Sequence, residues 1–229
     1  MAHVVSVNVG APRTITWMGR TAPTAVWKTP VSERISVRGV NVLGDDQADR
    51  RAHGGSDKAV YAYAREDQHW WEASLGRPVE PGAFGENLTL AGVDVTGAVI
   101  GERWEIGTVL FEVAQPRIPC WKLGARMNDP EFPRRFSLAG RPGAYLRIIG
   151  EGQLGADDEV HVIHRPDHGV TTGDVARIYL REGVDAEHLL RAPQLPPKWH
   201  EWARGKLAPP PAPLTPRRRR EPARVPRSG

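Results

Sequence analysis

Cys120 is the single thiol in a chain of 229 residues. It stands in the run Gln115-Pro-Arg117-Ile-Pro119-Cys120-Trp-Lys122-Leu123, with a proline directly before it and a cation on each side. Proline cannot donate to a β-ladder, so a strand should end at Pro119 and present Cys120 at its C-terminal edge. A short helix over Cys120–Met127 would put the sulfur at a helix N-terminus, where the dipole, Arg117 and Lys122 all favour thiolate. A thiolate is a nucleophile or a soft metal ligand. A lone cysteine is equally at home as a small buried hydrophobe, and the residues leave both readings open.

Two further segments carry groups able to hold an anion. In Arg51-Ala-His53-Gly54-Gly55-Ser56-Asp57-Lys58, adjacent glycines let backbone N–H groups approach a phosphate, and His53 and Lys58 add charge-assisted hydrogen bonds. A polar turn between strands accounts for the same residues, and no P-loop spacing is present. In Pro81-Gly82-Ala-Phe84-Gly85-Glu86-Asn87, the amide of Asn87 both donates and accepts, which suits a heterocycle edge or a phosphate. Turn-shaping is the simpler account of that segment too. His161, His164 and His168 resemble a metal set only superficially, since no carboxylate completes it. Trp70, Trp71, Trp199 and Trp202 fall at helical spacings that suit core or subunit contacts better than base stacking.

These segments must be placed by the elements around them. Ala2–Val9 alternates as a strand, and short strand-like pieces follow at Ala25–Lys28 and Glu33–Val42. Arg65–Leu75 lacks Gly and Pro and predicts a helix, stopped by Gly76 and Pro78. Leu88–Leu90, Arg103–Ile106 and Thr108–Ala114 read as strands, and Tyr145–Ile149 with Glu159–His164 as a strand pair. The pattern argues for a β-rich α+β fold, a barrel or sandwich without parallel βαβ rhythm, over residues 1–166. Thr171 and Asp174 offer a capping box for the first of three short helices, Thr172–Arg181, Asp185–Arg191 and Pro197–Leu207. A unit spanning 171–207 buries little alone, so it should pack on the barrel or on another subunit of a homodimer.

The composition narrows the classes of function. The 31 Lys+Arg and 27 Asp+Glu give a net charge of +4. Residues 208–229 hold six Arg, one Glu and seven of the 21 Pro; removing their +5 leaves −1 for the remainder. The body is nearly neutral, so nucleic-acid binding is not its expected role, and the Pro/Arg segment reads as a disordered tail. No run reaches the ~18 apolar residues of a membrane helix. The first residues lack a secretory signal's basic flank and apolar block, and a single cysteine excludes an intramolecular disulfide; both favour the cytoplasm.

Taken in order, GDDQADRRAHGGSDKAVYAY, PGAFGENLTLAG, IGERWEIGTVLFEVAQPRIPCWKL and GRPGAYLRIIGEG resemble the MOSC family, the molybdenum-cofactor sulfurase C-terminal domain, in its YiiM-like branch. Residues Thr171 to Leu207 resemble the three-helix extension of that branch, while the tail falls outside the resemblance. The resemblance implies a MOSC-type β-barrel holding a molybdopterin-type molybdenum cofactor, with Cys120 as metal ligand and catalytic centre. It implies cofactor-binding roles for His53, Gly54, Gly55, Lys58, Asn87 and Arg117. The implied activity is reduction of N-hydroxylated compounds, including hydroxylamino-purines, to amines, with electrons from a separate donor protein. A sulfur carrier bearing a persulfide on Cys120 is the alternative, because the same thiol serves both roles. Arg-Pro-Gly-Ala-Tyr at 141–145 departs from a more aromatic Gly-Tyr-Tyr-like stretch, which bears on substrate shape.

Overall fold

The computed structural model describes residues 1–48 and 54–208. Its first half contains β1 (His3–Val9), β2 (Arg13–Trp17), β3 (Arg20–Thr24), β4 (Thr29–Val31), β5 (Ile35–Arg38), β6 (Asn41–Val42), β7 (Val60–Ala64), α1 (Arg65–Leu75) and β8 (Leu88–Ala91). Then come β9 (Arg103–Ile106), β10 (Val109–Pro116), α2 (Trp121–Met127), α3 (Phe132–Leu138), β11 (Ala144–Gly150), β12 (Gly152–Leu154), β13 (Val160–His164), α4 (Thr172–Leu180) and α5 (Pro197–Leu207). Short 3-10 turns lie at Ser56–Lys58 and Ala186–Arg191.

Eight strands form one mixed sheet in the order β13-β9-β10-β11-β7-β8-β1-β4. This is a sheet-rich α+β fold, but the sheet does not close into a barrel by a continuous ladder. β1, next to the last strand of the sheet, meets the chain leading into β13 through one bridge, His3 with Glu159, and hydrogen bonds such as Val4 N–H to Asp158 O at 2.9 Å. A full ladder is blocked because β4 pairs with β1 over Val7–Val9, leaving only the first half of β1 to the chain before β13.

Two further expectations are corrected. β7 and β8 pair in parallel, Ala62 opposite Leu88, with α1 as the crossover, so one βαβ unit is present. Its short strands are buried along β7, which hides the rhythm that alternating exposure would have shown. β11 and β13 are not partners: β11 lies between β10 and β7, and β13 pairs with β9. The glycine-rich link between them contains β12, which pairs with β5 in a separate three-stranded sheet.

Ala25–Lys28 is not a strand. The carbonyls of Ala25 and Trp27 pass so close to Gly10 that a Cβ there would meet them at 2.8 and 2.6 Å. This irregular crossing becomes one wall of the site below. Arg65–Leu75 is helical as predicted, ended by Gly76 at φ 65°. The segment Phe132–Leu138 went unread; Phe132 and Phe136, one turn apart, bury themselves with Trp71, Phe84 and Tyr63 in an aromatic cluster under α1 and α2.

The last three helical segments end against the sheet. Val175, Ile178, Leu189 and Trp199 join Trp104, Phe111 and Leu146 in one continuous core. The capping box forms, with Asp174 N–H donating to Thr171 Oγ1 at 3.0 Å and Thr171 N–H to Asp174 Oδ2 at 3.2 Å. The middle helix is a 3-10 segment, entered through Asp185 at φ 68°.

Candidate functional site

Cys120 is half-buried, takes no part in a disulfide and is the N-cap residue of α2, with Leu123 N–H donating to its carbonyl at 2.9 Å. β10 ends at Pro116, four residues earlier than its thiol, so the cysteine sits on the loop between strand and helix rather than on the strand's edge. It opens into a chamber of about 100 Å³. Lys28, Lys58, Arg117 and Lys122 line that chamber together with Asp45 and Asp46. Among the described lining residues four cations face two carboxylates, with Lys28 and Asp45 joined in an ion pair.

The strands and loops that converge here explain the arrangement. Arg117 is 8% exposed; its guanidinium donates to the Phe84 carbonyl and lies 4.9 Å from the centre of the Tyr61 ring. Burial works against its charge, but Tyr61, Tyr145, Cys120 and Glu86 outweigh that and push its pKa up. Arg117 therefore stays a fixed cation beside the thiol. Burial, opposed by Arg117 and reinforced by Cys120, raises the Tyr145 pKa, so that phenol keeps its proton.

In the Gly82–Asn87 loop the carboxylate and the amide hold the structure together. Glu86 is fully buried and accepts from Gly82 N–H at 2.6 Å, Phe84 N–H at 3.0 Å, Gln68 Nε2 at 2.6 Å and Thr89 Oγ1 at 3.1 Å. Burial raises its pKa despite those donors. Gly82 and Gly85 have φ of 81° and 78°, and a Cβ on either would strike the chain at Lys28 or Val26 within 2.8 Å. Asn87 lines the chamber, but its own polar atoms are engaged: Oδ1 accepts from Tyr61 N–H at 3.1 Å, and Nδ2 donates to Asn8 O at 3.3 Å and Asp45 Oδ2 at 2.8 Å.

Asp45 and Lys28, to which the sequence reading gave no role, are the hub of this wall. Asp45 accepts from Gly10 N–H at 2.9 Å and pairs with the Lys28 ammonium, both side chains being nearly buried. Burial lowers the Lys28 pKa, against the pull of Asp45 and Glu86. Asp45 lay within the matching stretch GDDQADRRAHGG, whereas nothing around Lys28 marked it. Gln47 was also missed. Its amide bridges Val40 O at 3.0 Å, Gly55 O at 3.3 Å and Lys58 O at 3.3 Å, and it accepts from Gly55 N–H at 2.8 Å.

The structure thus brings Cys120, Arg117, Asn87 and Lys58 to one chamber. Gly54 and Gly55 belong to the loop that precedes Lys58 but are not among the described residues lining it, and the Gly55 N–H already serves Gln47. His53 lies outside the described residues. Of the three histidines set aside above, His168 bonds the backbone at Ile100 O and Val170 N, and His161 lies beside Glu159 on the surface. Among the described residues, no three His, Cys, Asp or Glu gather to hold a metal ion.

Several known proteins are similar to this chain in sequence and fold. The MOSC domain matches residues 49–161. The chain is 32% identical over 199 residues to the uncharacterized protein YflK of Bacillus subtilis, covering 86% of this chain and 90% of YflK. It is 30% identical to a protein named reductase from Gibberella moniliformis, covering 78% of this chain but 32% of that longer protein. The crystal structure of YiiM from Geobacillus stearothermophilus superposes with a TM-score of 0.75 at 31% identity, covering 91% of this chain and all of that one. With matches running through the sheet and the C-terminal helices alike, the chain belongs to the MOSC domain family, as a YiiM-like member.

Proposed function

We propose that this protein is a molybdenum-cofactor-dependent oxidoreductase that reduces N-hydroxylated compounds, hydroxylamino-purines among them, to amines. The observation that carries the reading is a half-buried thiol opening into a chamber lined by four cationic side chains. These residues fit a molybdopterin-type group. A half-buried thiol beside cationic side chains suits an anionic, sulfur-ligated metal group, to which the soft thiolate would add a ligand. When bound, the group supplies two-electron chemistry at the N–O bond: R–NHOH, two electrons and two protons give R–NH₂ and water.

In this reading Cys120 contributes the protein's ligand to the metal and is the catalytic residue. Lys58, Arg117 and Lys122 neutralise the anionic part of the cofactor, Lys28 being committed to Asp45, and His53, Gly54 and Gly55 serve on the same loop as Lys58. Asn87 acts on the cofactor through the wall it braces, by holding Asp45 and the Tyr61 backbone in place. Tyr145, kept protonated, is a hydrogen-bond donor beside the thiol rather than a second anion. Nothing in the chain marks a flavin or iron–sulfur site, so the electrons come from a separate protein. The cytoplasm is the expected location; no described helix is long and apolar enough to cross a membrane.

The test is metal analysis of protein made in a host that synthesises the cofactor. Near-stoichiometric molybdenum is expected in the wild type and its loss in Cys120→Ser, together with loss of hydroxylamine reduction. A cyanide-labile sulfur on Cys120 with no molybdenum would instead establish the sulfur-carrier role and defeat the reductase.

A further inference from the structure

Cys120, Tyr145 and Lys58 face two openings at once. The second lies where α4 and α5 meet the sheet and has a volume of about 370 Å³. Its far wall is aromatic, built from Tyr179 of α4 and from Trp199 and Trp202 of α5. Trp199 is 6% exposed and is fixed in place: its Nε1 donates to Gln115 Oε1 at 3.0 Å, and Gln115 Nε2 donates to Asp57 O at 2.8 Å. One amide therefore ties the helical extension to the turn that carries Lys58. Tyr179 lies on Trp199 with ring centres 5.4 Å apart and planes at 83°, and on Trp202 at 5.4 Å and 47°.

The outer rings are not covered by this packing. Tyr179 keeps 39% of its surface and Trp202 is half-buried, so a large apolar face is left beside the thiol. Ring against ring is the arrangement that best uses such a face. The charge on this wall is also one-sided: Lys58 and Lys198 line it, and no carboxylate does among the described residues. The Lys198 ammonium stands 5.9 Å from the Trp199 ring. Burial lowers its pKa, while Asp57 works the other way.

We propose that this aromatic chamber is the substrate site, selecting a planar aromatic or heteroaromatic ring that bears a negatively charged substituent. The ring lies against Trp202 and Tyr179, the anion is held by Lys198, and the reacting end points toward Cys120. The polar chamber on the other side of the thiol is then left to the cofactor. The helical extension, in this account, is a specificity element rather than a cover for the sheet. The inference rests on the proposed reductase reading for its direction, because that reading makes Cys120 the reacting centre.

Isothermal titration calorimetry on the full chain, with adenosine 5′-monophosphate, adenosine, ribose 5-phosphate and 2-naphthoate as probes, tests the site without requiring turnover. The two anionic rings should bind about tenfold more tightly than adenosine, and ribose 5-phosphate more weakly still. Trp202→Ala and Tyr179→Leu should each weaken both anionic rings by about tenfold. Lys198→Gln should bring adenosine 5′-monophosphate down to the level of adenosine while leaving adenosine unchanged. Preference for the nucleotide over the naphthoate would point to a nucleotide substrate, the reverse to an aromatic acid, and both support the site. Equal affinity for adenosine and its monophosphate, or indifference to all three substitutions in variants with wild-type melting curves, would overturn it. If molybdenum is absent but the rings bind, the reductase reading fails and the chamber stands. Molybdenum retained on Cys120 with no ring binding removes the chamber alone.

Discussion

At the scale of single residues, the wall of the chamber beside Cys120 rests on a buried ion pair. Lys28 and Asp45 are 7% and 6% exposed, and each is the other's main compensation for leaving water. Lys28→Met should therefore cost about 3 kcal/mol in urea unfolding, because the Asp45 carboxylate stays buried without its cation. Adding Asp45→Asn should recover part of that loss, a coupling that a double-mutant cycle measures directly. Four residues singled out in the sequence, Cys120, Arg117, Lys58 and Asn87, line one chamber. Asn87 shows the limit of that reading. Its amide was read as a ligand contact, yet its polar atoms are engaged by Tyr61, Asn8 and Asp45, partners that lie 26, 79 and 42 residues away. Type and spacing identify a polar group; only its neighbours in space show where its hydrogen bonds go.

At the scale of elements, local signals were read well where they were self-contained. The capping box of α4 is complete within four residues, and both of its hydrogen bonds form. Thr171→Ala should cost about 1 kcal/mol, read from the unfolding midpoint. Burial acts to raise the Asp174 pKa, but hydrogen bonds from Arg177 and Thr171 and the charge of His188 prevail and lower it. A carboxylate with a depressed folded-state pKa contributes stability above its unfolded value, near 3.8, and loses that contribution as the pH falls through the folded value. Acid unfolding of the wild type should accordingly be steeper below about pH 4 than that of Asp174→Asn, which has no carboxylate to protonate. The elements misread were those whose pairing is remote. β11 and β13 read as a strand pair because a glycine-rich link joins them, whereas β13 crosses to β9 and β11 inserts between β10 and β7. The parallel β7–β8 pair was hidden because β7 is buried along its whole length.

For the whole molecule, the charge of +4 divides into a nearly neutral body and a basic C-terminal segment. On the proposed reductase reading, deleting residues 208–229 should leave molybdenum content and activity within about twofold of wild type while abolishing any salt-sensitive binding to polyanions. A large loss of activity in that truncation would give the segment a part in catalysis. The described body has its helical extension and sheet in one core, Val175, Leu189 and Trp199 packing with Trp104 and Phe111. The separate units expected at 1–166 and 171–207 therefore share an interior, and we propose that they unfold together in one transition. By itself the sequence determined what is local or compositional: the α1 helix and its glycine stop, the α4 cap, the β-rich character and the thiol set between cations. It also carried the motifs of the MOSC family in register. The tertiary structure alone decided the strand order, the open sheet, the Lys28–Asp45 hub and the aromatic wall that α4 and α5 bring to Cys120. The physical reason is range: caps and periodicity act within a few residues, whereas strand pairing and burial depend on contacts between segments far apart in the chain.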